Sequence, residues 1–138
     1  MAAEIVPAIA RFALFADLST PELEGVAHVF EEAFFPAGER VLRQGLSGSG
    51  FYIILEGEAA IHVDGVDRSR LRSGDHFGEV SCLLGEKPVA DIVAVTSLRC
   101  LVLPGPQLES FLLAHPKVMF RLLQAEARRV QTTTRWLS

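Results

Sequence analysis

The chain has 138 residues, 49 % of them hydrophobic and 22 % charged, with a formal net charge of −4. That fits one domain, residues 1–138, with an ordinary core, and it excludes disorder by composition. Eight Lys/Arg and sixteen Asp/Glu precede Lys117, whereas five Lys/Arg and only Glu126 follow from there; an acidic body argues against a general nucleic-acid surface, and the basic end reads as a solvated helix face.

Residues 1–35 read as an N-terminal helical segment. Its longest apolar run, Ile5 to Phe15, contains Pro7 and Arg11 and lacks a basic leader, so neither a membrane span nor a signal peptide is expected. Ser19-Thr20-Pro21-Glu22 offers a capping serine, an early proline and a carboxylate three residues after the cap. Leu23, Val26, Ala27 and Phe30 follow at helical spacing, and Phe34-Phe35-Pro36-Ala37-Gly38 ends the run.

Residues 36–104 change period. Phe51–Leu55, Ala59–Val63, Ile92–Val95 and Leu98–Leu103 are short runs rich in β-formers, separated by turn glycines. Such text predicts an antiparallel sandwich or barrel, and the absence of alternating long helices argues against a parallel sheet. Residues 105–138 return to helix: Leu108, Phe111 and Leu112 mark a short one, and Pro116 restarts the chain after His115. Met119, Leu123, Ala127 and Val130 form a stripe on a final helix about 33 Å long at ~1.5 Å per residue. That exceeds what a small β domain needs, so the helix is expected to cap a pocket or to pair with a second copy of the chain. Trp136 reads as a terminal aromatic or as part of that seam.

Cys82 and Cys100 lie in apolar stretches and read as reduced core thiols of a cytoplasmic protein. Neither Ser81 nor Cys82 has a base beside it, so no nucleophilic catalysis and no catalytic residue is expected. His76 reads as a turn residue, and no metal site is expected. The richest stretch is Gly74 to Gly85. Gly78 permits close backbone approach, a helical turn starting there would present unpaired N–H groups to a phosphate, and Glu79 could accept bonds from vicinal hydroxyls. The same residues also suit a plain β-turn followed by a surface carboxylate.

Taken in order, these stretches resemble the cyclic nucleotide-binding domain family, above all the sensor half of catabolite activator-type proteins. Pro36–Glu39 with Val41–Gly45 is similar to the start of the family's β-roll, and Phe51–Ala59 to its central hairpin. Gly74–Glu79 with Ser81 is similar to its phosphate-binding cassette, here residues 74–91, and Arg121–Leu123 with Ala127–Gln131 to its last helices. The resemblance implies an α+β fold: an eight-stranded antiparallel jelly-roll-like β-roll flanked by N-terminal helices and two C-terminal helices, with a short helix in the cassette. It implies a regulatory, non-enzymatic domain that binds cAMP or cGMP, with the final helix closing over the ligand. Gly78, Glu79, Val80 and Ser81 would hold ribose and phosphate. Val63 and Leu71 would form apolar walls, Lys87 and Val89 would also belong to the ligand site, and Arg129, Thr133 and Thr134 would meet the base and the glutamate. The spare length of the last helix leads us to expect a homodimer through residues about 117–137, and neither a DNA-binding domain in this chain nor a membrane partner is expected.

The sequence departs from the family at one informative position. Counted without gaps, Pro88 stands where the family has its phosphate-binding arginine, and Asp91 where it has Ser or Thr. Proline offers neither charge nor N–H, and a guanidinium fork has no substitute among its neighbours. Lys87 could supply a point charge, whereas Asp91, if it faced the pocket, would repel a phosphodiester. The alternative expectation is therefore a member that keeps the fold but contacts protein or senses another ligand.

Overall fold

Ser19 begins the first long helix in the way its neighbours dictate. Its hydroxyl accepts from the Glu22 N–H at 3.3 Å, and the Glu22 carboxylate accepts from the Ser19 N–H at 2.9 Å, so two otherwise unpaired helix-end donors are satisfied reciprocally. In the computed structural model, which describes residues 2–46 and 50–137, the N-terminal helices are α1 (Ala2–Ile9) and α2 (Thr20–Val29). The strands are β1 (Glu31–Phe35), β2 (Arg40–Leu42), β3 (Gly50–Glu56), β4 (Ala59–Val63), β5 (Val66–Leu71), β6 (His76–Phe77), β7 (Asp91–Ala94) and β8 (Leu98–Pro104). Helix α3 (Glu79–Leu84) interrupts the strands, and α4 (Leu108–Ala114) and α5 (Pro116–Leu137) follow them.

The strands form two antiparallel four-stranded sheets, ordered β1-β8-β3-β6 and β2-β7-β4-β5. This is the jelly-roll-like β-roll with flanking helices that the sequence led us to expect. Strands β3 and β8 lie inside the first sheet and are apolar on both faces, because helices cover one side and the second sheet the other. Phe51, Ile53, Leu55, Leu101 and Leu103 pack toward α1, α2, α4 and the start of α5. Ile54, Leu98 and Cys100 point the other way, into the sandwich with Leu71, Phe77 and Ile92. Of the two cysteines, Cys100 is fully buried and Cys82 half-buried.

Residues 1–35 are not helical throughout. The chain becomes extended at Phe30, and β1 pairs with β8 from Glu31↔Val102 to Phe35↔Leu98, so the β-roll starts at Glu31 and not at residue 36. Alternation explains the paired phenylalanines: Phe35 packs against the sandwich core while Phe34 faces solvent. Strand β5 also has little sequence signal, since only Leu71 is buried in it. Its pairing is set by the turn: Val63 faces Val66 across Asp64-Gly65, whose φ angles of 52° and 78° are those of a two-residue hairpin turn.

Helix α5 is anchored at its first turns. Val118 and Leu122 are buried, Lys117 pairs with Glu22 at 3.2 Å, and Arg121 grips both Asp17 oxygens at 2.7 and 2.8 Å. Beyond Leu122 no side chain of α5 is fully buried among the described residues. The outer half of the helix therefore depends on the contacts described next.

Candidate functional site

The site begins with a backbone constraint. Gly78 links β6 to α3 with φ +90°, and a Cβ there would stand 2.0 Å from the Gly50 carbonyl oxygen. Only glycine combines that angle with that approach. The turn carries the chain from β6, where His76 and Phe77 pair with Ile53 and Tyr52, directly into α3. Glu79 thus becomes the first residue of α3 with its carboxylate inside, 1 % exposed. It is not a surface carboxylate. Nor is His76 a turn residue: it is a strand residue, 7 % exposed, because its pairing with Ile53 points the ring inward beside Phe51.

Helix α5 reaches into this turn through Arg129. Its guanidinium pairs with Glu79 through Nη1, donates from Nη2 to the His76 carbonyl at 3.1 Å, and lies 3.3 Å from the Glu126 carboxylate. His76 Nδ1 stands 3.3 Å from Glu79 Oε1 but is a buried nitrogen without a hydrogen bond. Burial alone would raise the Glu79 carboxyl; contact with His76, Glu126 and Arg129 outweighs it and holds the group down to about 2. Glu126 moves the opposite way, to about 7, because it is partly buried beside that carboxylate.

The cluster borders a cavity of about 500 Å³ between α3, the second sheet and α5, within the usual range for small-molecule pockets. Of the residues singled out from the sequence, Gly78, Glu79, Val80, Ser81, Leu71, Val89, Arg129 and Thr133 all line it. Val63 and Lys87 do not, since Val63 lies at the hairpin end of β4 and Lys87 is exposed on the loop after α3. The side chains of Thr134 and Trp136 lie outside the described residues. Ser81 Oγ donates to the Gly78 carbonyl at 3.1 Å, and Thr133 Oγ to the Arg129 carbonyl at 3.0 Å, so each hydroxyl oxygen is left to accept. Sequence reasoning missed Thr132, Ser69 and Glu126. Ser69 lies on a strand with no apolar rhythm, Thr132 on an exposed helix face that becomes a wall only once α5 packs across the roll, and Glu126 half-buried on the same helix beside Arg129.

Position 88 is settled locally. Pro88 is buried, lines the cavity, and its carbonyl accepts from the Gly45 N–H at 2.9 Å. Asp91, which could have opposed an anion, does not line the cavity; its carboxylate accepts from the Gln44 N–H at 2.7 Å. The guanidinium groups at the cavity, those of Arg128 and Arg129, belong to α5 and not to the cassette.

Comparison with known proteins bears on this geometry. Residues 32–115 match the sequence family described as the cyclic nucleotide-binding domain. The catabolite activator protein of Thermus thermophilus has a similar structure, with 27 % identity and a TM-score of 0.82 over 91 % of this chain and 61 % of that one. So does the regulatory domain of Toxoplasma gondii PKA, crystallised with cAMP, at 22 % identity and a TM-score of 0.78 over 93 % of this chain and 50 % of that one. A third is the regulatory subunit of a cAMP-independent protein kinase A from Trypanosoma brucei, at 23 % identity and a TM-score of 0.80 over 91 % of this chain and 46 % of that one. A form of that subunit with three substitutions, one of them threonine to arginine, is described as bound to cAMP in its A site. This chain thus spans between 46 % and 61 % of the length of these structures. No helix among the described residues is long and apolar enough to cross a membrane. The family match covers most of the chain and includes the cassette, the β-roll and the helix that follows them: the chain belongs to the cyclic nucleotide-binding domain family.

Proposed function

We propose that this chain is a regulatory, non-catalytic domain in which a small ligand in the cavity sets the position of α5. The observation that carries this reading is the Arg129–Glu79 pair, which ties the outer half of α5 to the cassette at the wall of the cavity. A carboxylate has about four acceptor directions, so a ligand hydroxyl can join Glu79 while Arg129 stays. The occupant then adds contacts to Thr133 and Arg129 and tightens α5 over the roll. Ligand acts here only through its higher affinity for the closed position.

Family membership supports a purine-type occupant; the buried Pro88 argues against a cyclic phosphate held at the family's strength. A phosphodiester at that end would lose a charge-assisted, two-pronged bond, about 1.5–3 kcal/mol by the usual worth of hydrogen bonds to charged groups. The occupant that fits presents hydroxyls to Glu79 and an uncharged end to Pro88. The Trypanosoma subunit, described as cAMP-independent, is described as cAMP-bound in a form with three substitutions, one of them to arginine, which supports giving weight to an arginine in this fold. The exposed Phe120, Leu123 and Val130 of α5 support pairing of that helix with a second copy of the chain.

Titration calorimetry with cAMP, cGMP, adenosine and guanosine tests the reading. The unaltered protein should show no preference for a cyclic nucleotide over its nucleoside, and Pro88→Arg should strengthen cAMP binding at least about tenfold. Micromolar cAMP binding by the unaltered protein, far tighter than adenosine, would overturn it.

A further inference from the structure

We infer that His76, Glu79 and Glu126 form a binding site for a divalent transition-metal ion of the zinc or cobalt type, joining the cassette to α5. The three side chains offer one nitrogen and two carboxylate oxygens, all within 4.8 Å of one another. An imidazole with two carboxylates is a donor set for borderline ions such as zinc, cobalt and manganese. His76 Nδ1 is the observation that distinguishes this cluster from an ordinary ionic one. The side chain is 8 % exposed, the nitrogen has no hydrogen bond, and it lies 3.3 Å from the Glu79 oxygen. A buried nitrogen that faces a carboxylate oxygen without a hydrogen bond is costly, and an ion shared by the two is what this geometry suits. Around an ion with bonds of about 2.1 Å, tetrahedral donors stand roughly 3.4 Å apart. The His76–Glu79 edge therefore already has the right length, and Glu126, within 4.8 Å of both, can close in on a flexible side chain from a half-buried helix face.

Arg129 now supplies the positive charge between the two carboxylates. Its side chain is 46 % exposed, so it can swing into solvent when an ion takes its place. Two carboxylates and a divalent ion are neutral together, and the exchange leaves no uncompensated charge inside. The metal would hold α5 on the cassette through Glu126 in place of Arg129. It would thus be a second input to the same helix, coupled to what fills the cavity because His76, Glu79 and Arg129 also line it.

The test is titration of the tag-free, metal-stripped chain with cobalt(II) and zinc(II), read by calorimetry and by visible absorption of bound cobalt. The expected result is one ion per chain. Glu126→Gln and His76→Gln should each weaken binding at least about tenfold, His62→Gln should leave it unchanged, and Arg129→Gln should strengthen it by removing the competing cation. Glu126→Gln keeps shape at a partly exposed position, so its result stands even if the buried His76 variant fails to fold. No binding at millimolar metal overturns the inference. So does binding that Glu126→Gln and Arg129→Gln leave unchanged.

Discussion

Replacing Arg129 with alanine isolates the contact on which the account of α5 depends. Glu79 would stay buried at 1 % exposure and lose its guanidinium, keeping only His76 and Glu126 nearby. Removing one partner of a fully buried pair costs about 3–5 kcal/mol. Arg129 is 46 % exposed, so water reaches the pair and the cost falls to about 1–3 kcal/mol. Glu79→Gln removes the charge instead and is expected to cost about 1–2 kcal/mol through the altered hydrogen bonds. The double variant should then lose less than the two single losses added, by about 1–2 kcal/mol, because the second change no longer strands a charge. Urea denaturation of the four proteins gives this coupling directly. Losses that add within about 0.3 kcal/mol would refute the view that Arg129 and Glu79 form one energetic unit across the cassette and α5.

Gly78→Ala should fail to fold or lose more than about 3 kcal/mol, since it combines a φ of +90° with a 2.0 Å overlap on the Gly50 carbonyl; denaturation showing a loss under about 1 kcal/mol would contradict the cassette geometry. Stability should also depend on pH from both sides. Glu79 is held below its unfolded value of 4.5, to about 2, so its contribution is present above about 4.5 and is lost as pH falls toward 2. Glu126 is raised above 4.5 to about 7, so its contribution is present below about 4.5 and is lost as pH rises through 7. His76, Glu79 and Arg129 are the groups that face it. Glu126→Gln should therefore flatten the decline between pH 5 and 8; a profile equally steep in both proteins would show that another group is responsible.

The sequence carried the fold wherever burial was two-sided or chain punctuation was strong. The Ser19 cap, the apolar β3 and β8, and the Pro116 restart were legible because each leaves a local pattern. Strands β1 and β5 were not. All their residues but Leu71 are half-buried or exposed, and a hairpin turn and pairing with a neighbour hold them in place. The same contrast divides the site. Gly78 and Glu79 could be picked out as a turn glycine followed by an acid, while Glu126 and Thr132 looked like an ordinary solvated helix face. What makes them part of the site is the packing of α5 across the roll, a contact between residues some fifty positions apart, such as Arg129 with Glu79. His76 was misread for a related reason: a histidine beside a glycine-bounded turn has no local mark of being pulled inward by pairing with β3.

Occupancy of the cavity should be felt by α5, and backbone hydrogen exchange along that helix measures this coupling. Pro88→Arg saturated with cAMP provides the filled state, and the same protein without ligand the reference. Exchange should slow at least tenfold for residues 125–133, where α5 meets the cavity. It should change little around Val118 and Leu122, which are buried in either case. Ligand bound with residues 125–133 exchanging as fast as before would contradict the account.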